Sequence, residues 1–272
     1  MFIPEINSTN TYLKAHPELG QDEDLFALRT DYQTAGRGQL GNGWESERGK
    51  NLLCSLRWRN TNIPVAEAFR INEIVAVAIH RMAFVSVTDR RMAFVSVTDR
   101  RLDFVSGDSP VIKWPNDIYV GDKKLAGILV ENSLCGGVVS ESIIGIGLNV
   151  NQTAFLSAPN PTSLALETGR QWDVEAVMQQ VLASFREVIT WPQARVHETY
   201  IGHLYRKDGF YPYREREVSL QPTAPIWDDK QKDDFLAQIK DVTPQGELVL
   251  EQEDGTQKRY HFKQIQYILC KQ

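Results

Sequence analysis

Apolar and polar positions alternate with a period of two through residues 24–34 (DLFALRTDYQT) and again through 51–59 (NLLCSLRWR), so each stretch predicts a half-buried strand. The glycine-dense run AGRGQLGNGW at 35–44 separates them as a long loop. Ahead of the first strand, Asn7, Ser8 and Thr9 offer capping oxygens before Tyr12, Leu13 and Ala15, which predicts a helix almost at once. Residues 65–80 place Ala68, Ile71, Ile74, Val75 and Ala78 at helical spacing and predict a helix with a buried face. Strand patterns return at 111–114, 118–120, 125–131, 138–139 and 143–150, with turns at Gly121-Asp122 and Gly136-Gly137. Successive hairpins of this kind imply a mixed or antiparallel sheet. The helical period resumes over 174–191 and continues toward Tyr205 after a break at Pro192, so these helices are expected to cover one face of that sheet.

Residues 206–216 are polar and rich in turn formers. Beyond them short strands (EVSL, AQIKDV, ELVLEQ, KRYHF, IQYIL) alternate with turns, among them Asp254-Gly255, a strong hairpin signal. The division expected is an α+β domain over 1–208, its mixed or antiparallel sheet flanked by helices, followed by a small SH3-like β-barrel over 209–272. One stretch fits no element: RMAFVSVTDR at 81–90 is repeated letter for letter at 91–100, and 101–108 resembles a degraded third copy. The period is too short for a solenoid, so a surface insertion without function is expected.

With 272 residues, 42% hydrophobic and 24% charged, the chain has the composition of a folded enzyme-sized protein. Its three cysteines, Cys54, Cys135 and Cys270, are too scattered for a disulfide scaffold or a zinc site. A net charge of -5 without a basic tract argues against nucleic acid as a partner, although Arg37, Arg48 and Lys50 could hold a small anion. No apolar run is long enough for a membrane span, and the first residues carry no signal-like segment, so a cytoplasmic, soluble protein is expected.

Three motifs carry chemistry. In Gly36-Arg37-Gly38-Gln39-Leu40-Gly41-Asn42-Gly43-Trp44 the glycines let backbone N–H groups approach a phosphate, and Arg37 offers bidentate donors; a plain hairpin loop is the bland alternative. In Lys113-Trp114-Pro115-Asn116-Asp117, followed by Lys123-Lys124-Leu125-Ala126-Gly127, an ammonium returns beside an Asn and an Asp, as attack on a phosphate requires; solvated surface lysines are the alternative. Gly145-Ile146-Gly147-Leu148-Asn149 reads as a buried strand open to close approach. Ser8-Thr9-Asn10 alone is a helix cap, and Gln33 alone says nothing.

Taken together, the Ser-Thr-Asn segment, GRGQLGNGW, KWPNDIY, KKLAGILVE and GIGLNVN occur in the order and spacing of biotin protein ligases, which the chain resembles over about residues 6–151 and more loosely in its C-terminal module. The resemblance implies the catalytic fold of that family, related to class II aminoacyl-tRNA synthetases. It also implies ATP-dependent activation of biotin to biotinyl-5'-AMP, then transfer to a lysine of the biotin carboxyl carrier protein of acetyl-CoA carboxylase or a related carboxylase. By that resemblance Ser8, Thr9, Asn10 and Gln33 would hold the ureido ring and tail of biotin. Gly36, Arg37, Gly38 and Gln39 would close over biotin and the adenylate phosphate, and Trp44 would pack on the ligand. Lys124 would bridge carboxylate and phosphate, Gly127 and Leu129 would floor the biotin pocket, and Asn116, Asp117 and Asn149 would serve ATP, Asp117 through Mg²⁺.

The chemistry is coherent with that assignment. Two anions must be held together, which Arg37 and Lys124 can do, and water must be kept from the mixed anhydride by a loop that closes. Many relatives carry further basic residues where this chain has Gln39 and Asn42, so weaker retention of the adenylate is expected. An N-terminal winged helix-turn-helix, present in some members, is not expected with Ser8 so near Met1. A lipoate- or octanoate-transferring enzyme and a sensor that binds without turnover are the alternatives. The chain is expected to be a monomer or a homodimer.

Overall fold

The computed structural model describes residues 1–39, 42–82, 108–216 and 233–268. The duplicated decapeptide apart from Arg81 and Met82, the strand expected at 217–220, Leu40, Gly41 and Cys270 lie outside the described residues.

The first half runs β1 (Phe2–Ile6), α1 (Thr9–Ala15), β2 (Leu25–Gln33), β3 (Leu52–Pro64), a short 3-10 turn at Val65–Glu67 and α2 (Arg70–Met82). It continues through β4 (Pro110–Lys113), β5 (Asp117–Val120), β6 (Lys123–Cys135), β7 (Val138–Leu148), α3 (Leu164–Thr168), α4 (Val174–Val188) and α5 (Gln193–Gly202). The seven strands form one sheet in the order β1-β2-β3-β7-β6-β5-β4. Only the β1–β2 pair is parallel, so the sheet is mixed, as expected.

Alternation along the strands decides what each face of the sheet does. Leu52, Cys54, Leu56, Ile144, Ile146, Leu148, Ala126 and Ile128 are buried in the core cluster that also contains the inner faces of α2 and α4. The opposite face bears Leu53 and Ser55 from β3, Gly145 and Gly147 from β7, and Gly127 and Leu129 from β6. Ser55 pairs with Gly145, and Gly147 pairs with both Leu53 and Gly127. The second face is therefore scooped out where glycines meet, and α1 lies beside the hollow. The buried guanidinium of Arg57 anchors α1 by donating to the carbonyl of Leu13 in its last turn and to those of His16 and Leu19 in the segment that follows.

The second sheet is antiparallel and built from β8 (Tyr211–Glu215), β9 (Phe235–Val242), β10 (Leu248–Gln252), β11 (Gln257–Tyr260) and β12 (Ile265–Tyr267), in the order β11-β10-β9-β8-β12. This is consistent with an SH3-like module. Among the described residues no pairing joins β11 to β12, so the sheet is not closed into a barrel. Its buried side chains, Tyr213 and Ile239 among them, belong to the same core cluster as the first sheet. Polar contacts join the two: Trp114 Nε1 donates to Gly246 O at 3.1 Å, and Lys207 Nζ donates to Ile239 O at 2.9 Å.

Several elements depart from the expected pattern. Phe2–Ile6 is a strand where the sequence pattern predicts no element, since FIPEI is short and interrupted by proline. The expected strands at 138–139 and 143–150 are one strand, β7; Glu141 breaks the apolar pattern because it takes ion pairs from Arg57 and Arg59. β8 lies in the stretch read as polar turns, held by Tyr213, which is fully buried. α3 is too short for periodicity to reveal, although Ser163 caps it and Gly169 ends it in the left-handed region at φ 69°. Among the described residues no helix is long and apolar enough to cross a membrane.

Candidate active site

A cavity of about 410 Å³ opens over the glycine face of the first sheet. One wall is the start of α1. Ser8 occupies the N-cap position but its side chain makes no capping bond, so the cap expected there is not made by its hydroxyl. The Thr9 backbone N–H donates to Gln33 Oε1 at 2.8 Å, and the Thr9 hydroxyl lies 3.2 Å from the same oxygen. Asn10 Nδ2 donates to Glu131 Oε2 at 2.8 Å. An ideal Cβ on Gly145 would fall 2.6 Å from Asn10 Oδ1, so glycine is what admits the amide to this position.

The described part of the glycine loop forms the second wall. Trp44 N–H donates to Gly36 O at 3.1 Å, Gly38 N–H donates to Asn42 O at 2.6 Å, and Arg37 bridges to Gly43, which folds the loop back on itself. Its far end lands on the sheet: an ideal Cβ on Gly127 would come within 2.8 Å of Trp44 Cζ3, and one on Gly147 would overlap the indole outright. The indole N–H is buried and unpartnered. Gln39 Nε2 donates to Asn116 Oδ1 at 3.0 Å and Ile128 O at 3.2 Å, pinning the middle of the loop to the opposite wall. Arg37 stands 3.6 Å from Glu131. Burial raises the Glu131 carboxyl, but hydrogen bonds from Lys14 and Asn10, with the charges of Lys14 and Arg37, outweigh it and hold the group below the ordinary range. Glu45, next to Trp44, accepts the backbone N–H groups of Leu156, Ser157 and Ala158, which fastens the chain where it leaves the loop.

The β5–β6 hairpin makes the third wall. Lys124 Nζ lies 2.6 Å from Asp117 Oδ2 and 5.7 Å from the Trp44 ring. The backbone of Lys124 is fixed from both sides, its N–H donating to Asn160 O and its carbonyl accepting from Thr162. Lys113 lies beside it, its ammonium 4.5 Å from the Tyr119 ring centre and 5.1 Å from that of Tyr267. Burial lowers the Lys113 ammonium from its ordinary range.

Of the residues singled out in the sequence, Ser8, Thr9, Asn10, Gln33, Arg37, Gly38, Gln39, Trp44, Asp117, Lys124, Gly127 and Leu129 line this one cavity. Gly36, Asn116 and Asn149 do not. Gly36 packs against the Trp44 carbonyl. Asn116 is fully buried behind Gln39, with Nδ2 on Asn72 Oδ1 at 2.7 Å, and Asn149 is buried with Nδ2 on Thr162 O at 2.8 Å. Arg48 turns away to Glu5 and the face of Tyr32, so it does not join Arg37 in a common anion site. Sequence reasoning missed the contribution of the second sheet: Arg216, Phe262, Lys263 and Tyr267 line the same cavity. Lys263 has a positive φ of 71°; Phe262 and Lys263 fall in the stretch DGTQKRYHFKQI, whose resemblance to the ligase family is loose, and the sequence singles out none of the four as a site residue.

Residues 2–149 match the model of the biotin/lipoate A/B protein ligase family. The chain belongs to that family and is a ligase. Among curated members, it is 28% identical over 258 residues to the bifunctional ligase/repressor BirA of Escherichia coli, covering 92% of this chain and 68% of that protein. It is 30% identical over 164 residues to the biotin--[acetyl-CoA-carboxylase] ligase of Mycobacterium tuberculosis, covering 60% and 53%. The structure of the biotin protein ligase from Aquifex aeolicus in complex with biotin and ATP superposes with a TM-score of 0.64 at 20% identity, covering 98% of each chain. The fold is thus the biotin protein ligase fold in both of its parts. The family comprises enzymes acting on biotin and on lipoate, and among the described residues no group of three or more His, Cys, Asp or Glu could hold a metal.

Proposed function

We propose that this chain is an ATP-dependent biotin protein ligase. It activates biotin to biotinyl-5'-AMP and transfers the biotinyl group to a lysine of the carrier-protein domain of a biotin-dependent carboxylase. The observation that carries the reading is that Arg37 and Lys124, from elements far apart in sequence, face one cavity whose floor is made of glycines and whose far end is ringed by small polar groups.

Biotin lies with its ring at Ser8, Thr9, Asn10 and Gln33 and its carboxylate toward Lys124. Attack of that carboxylate on the α-phosphorus of ATP forms the acyl–phosphate bond and expels pyrophosphate. Arg37 and Lys124 offset the negative charge gathered there. Lys124 Nζ lies 2.6 Å from Asp117 Oδ2, and the biotin carboxylate, like Asp117, is a partner the ammonium can hold. Asp117, a carboxylate in the cavity wall, would hold the Mg²⁺ that accompanies ATP, which would there offset charge on the phosphates. Gly36, Gly38 and Gln39 hold the lid over the adenylate, and Trp44 excludes water from it. Asn116 and Asn149 act from behind the wall. The carrier lysine then attacks the anhydride and releases AMP, so no nucleophile of the enzyme is needed. Residues 1–208 form the catalytic domain and 209–272 a C-terminal domain that reaches the nucleotide end of the cavity through Phe262 and Lys263.

The purified chain, given ATP, Mg²⁺, biotin and a carrier domain, is expected to release pyrophosphate and add one biotinyl group to one lysine, read by mass spectrometry. Lipoate in place of biotin should give neither product. Absence of adenylate with biotin, or a preference for lipoate, would overturn the reading.

A further inference from the structure

Behind the ring end of the cavity stands Ser55, a polar side chain with no exposure in the middle of the apolar strand β3. Its hydroxyl is 2.5 Å from Asn10 Oδ1 and 2.7 Å from Thr9 Oγ1. It does not line the cavity, and no sequence motif includes it.

The protons of this cluster can be placed one after another. Asn10 Nδ2 faces two groups that only accept, Glu131 Oε2 at 2.8 Å and Leu129 O at 3.4 Å, so the amide orientation follows and Oδ1 points to Ser55. That buried oxygen needs a donor, and the Ser55 hydroxyl has one hydrogen to give. With that hydrogen on Asn10, Ser55 can only accept from Thr9. The two hydroxyl oxygens lie 2.7 Å apart, so the Thr9 hydrogen lies on Ser55 Oγ, and Thr9, which lines the cavity, is left to accept. The Thr9 backbone N–H, which can only donate, holds Gln33 Oε1 at 2.8 Å, so the Gln33 NH₂ is left as the free end of its amide. The cavity therefore offers an acceptor at Thr9 beside a donor at Gln33. A cyclic urea presents the complementary pair, an N–H next to a C=O.

We propose that Ser55 is a positioning residue that fixes this donor–acceptor order, by donating to Asn10 and so turning Thr9 into an acceptor beside the Gln33 donor. The assignment rests on the biotin-ligase reading and names how its ring end is recognised. Gly145, opposite Ser55 in the sheet, supports it, since any side chain there would collide with the Asn10 amide on which the order depends.

The test is the biotin dissociation constant by calorimetry and the KM for ATP in adenylate formation, for the full chain and for Ser55→Ala and Thr9→Val. Ser55→Ala should weaken biotin about tenfold, as loss of neutral hydrogen bonds does, and leave the ATP KM within about twofold. Thr9→Val, which keeps the backbone N–H on Gln33, should weaken biotin similarly. Unchanged biotin affinity in Ser55→Ala, or biotin and ATP constants rising by the same factor, overturns the assignment. If Ser55→Ala does not fold, a folded Thr9→Val with wild-type biotin affinity overturns it instead. A wild-type chain that does not bind biotin fails the ligase reading itself, whereas a biotin-binding wild type with an indifferent Ser55→Ala fails only this proposal.

Discussion

The indole of Trp44 lies in the volume that a side chain at Gly147 would occupy, so the lid reaches its seat only because β7 carries no Cβ at that point. Gly147 has no positive φ to explain its identity, which leaves close approach as the reason for glycine. Gly147→Ala should therefore leave the sheet intact while lifting Trp44. Adenylate formation is expected to fall about tenfold or more, on the scale of 1–3 kcal/mol for a forced clash. Gly202→Ala, where an added Cβ meets nothing within 4 Å, is the matched control. Equal activity in the two variants would show that the seat of Trp44 does not matter.

The Lys124–Asp117 pair at 2.6 Å gives a second prediction. Both side chains are partly exposed, at 29% and 27%, so their mutual attraction adds little to stability. Lys124→Ala should abolish adenylate formation and leave the thermal midpoint near that of the wild type. Adenylate formation at the wild-type rate in this variant would remove Lys124 from the chemistry, and a large drop in midpoint would make the pair structural.

Gln39 ties the lid to the far wall through two neutral hydrogen bonds, at Asn116 and Ile128, where a cation would have gripped a phosphate directly. Weak retention of the adenylate follows, because neutral bonds between protein groups contribute nothing to the charge of the intermediate. Stray labelling of bystander proteins at saturating biotin and ATP should be measurable in the wild type. It should increase several-fold in Gln39→Ala, in line with loss of about 1 kcal/mol of lid closure per bond. Absence of stray labelling from both forms would refute the expectation.

The main sheet and its helices were legible because alternation and helical spacing are strong where one face is apolar and the other polar, as in Leu25–Gln33 and Val174–Val188. β7 reads as two pieces because Glu141 pairs with the buried Arg57 and with Arg59, long-range relations that no local pattern encodes. Most of the candidate site was legible for a different reason. Singly, the glycine loop and the Lys-Asn-Asp cluster each admit a bland alternative, and Ser8-Thr9-Asn10 and Gln33 say nothing; it is their joint order and spacing, which resemble those of biotin protein ligases, that pointed to one site. Ser55 escaped because a single serine in NLLCSLRWR looks like the polar half of an alternating strand. Phe262 and Lys263 escaped because their place at the cavity depends on how the second sheet docks.

That docking has a titratable joint. His197 on α5 places Nδ1 2.8 Å from Glu73 Oε1 of α2 and Nε2 3.1 Å from Asp241 Oδ1 of β9, so one imidazole joins two helices to the second sheet. The hydrogen bond to Glu73 raises His197 from its ordinary 6.5 to about 8, against an opposing effect of burial and with help from the charges of Glu73 and Asp241. A folded-state value above the unfolded one means that the protonated form is favoured in the folded chain. The stabilisation is complete below about pH 6.5 and is lost as pH rises through about 8. The urea midpoint should therefore decline between these values, and His197→Gln, which keeps hydrogen-bonding capacity without the charge, should flatten that decline. An unchanged slope in His197→Gln would mean that another group controls the pH dependence and that the joint at His197 is held by packing alone.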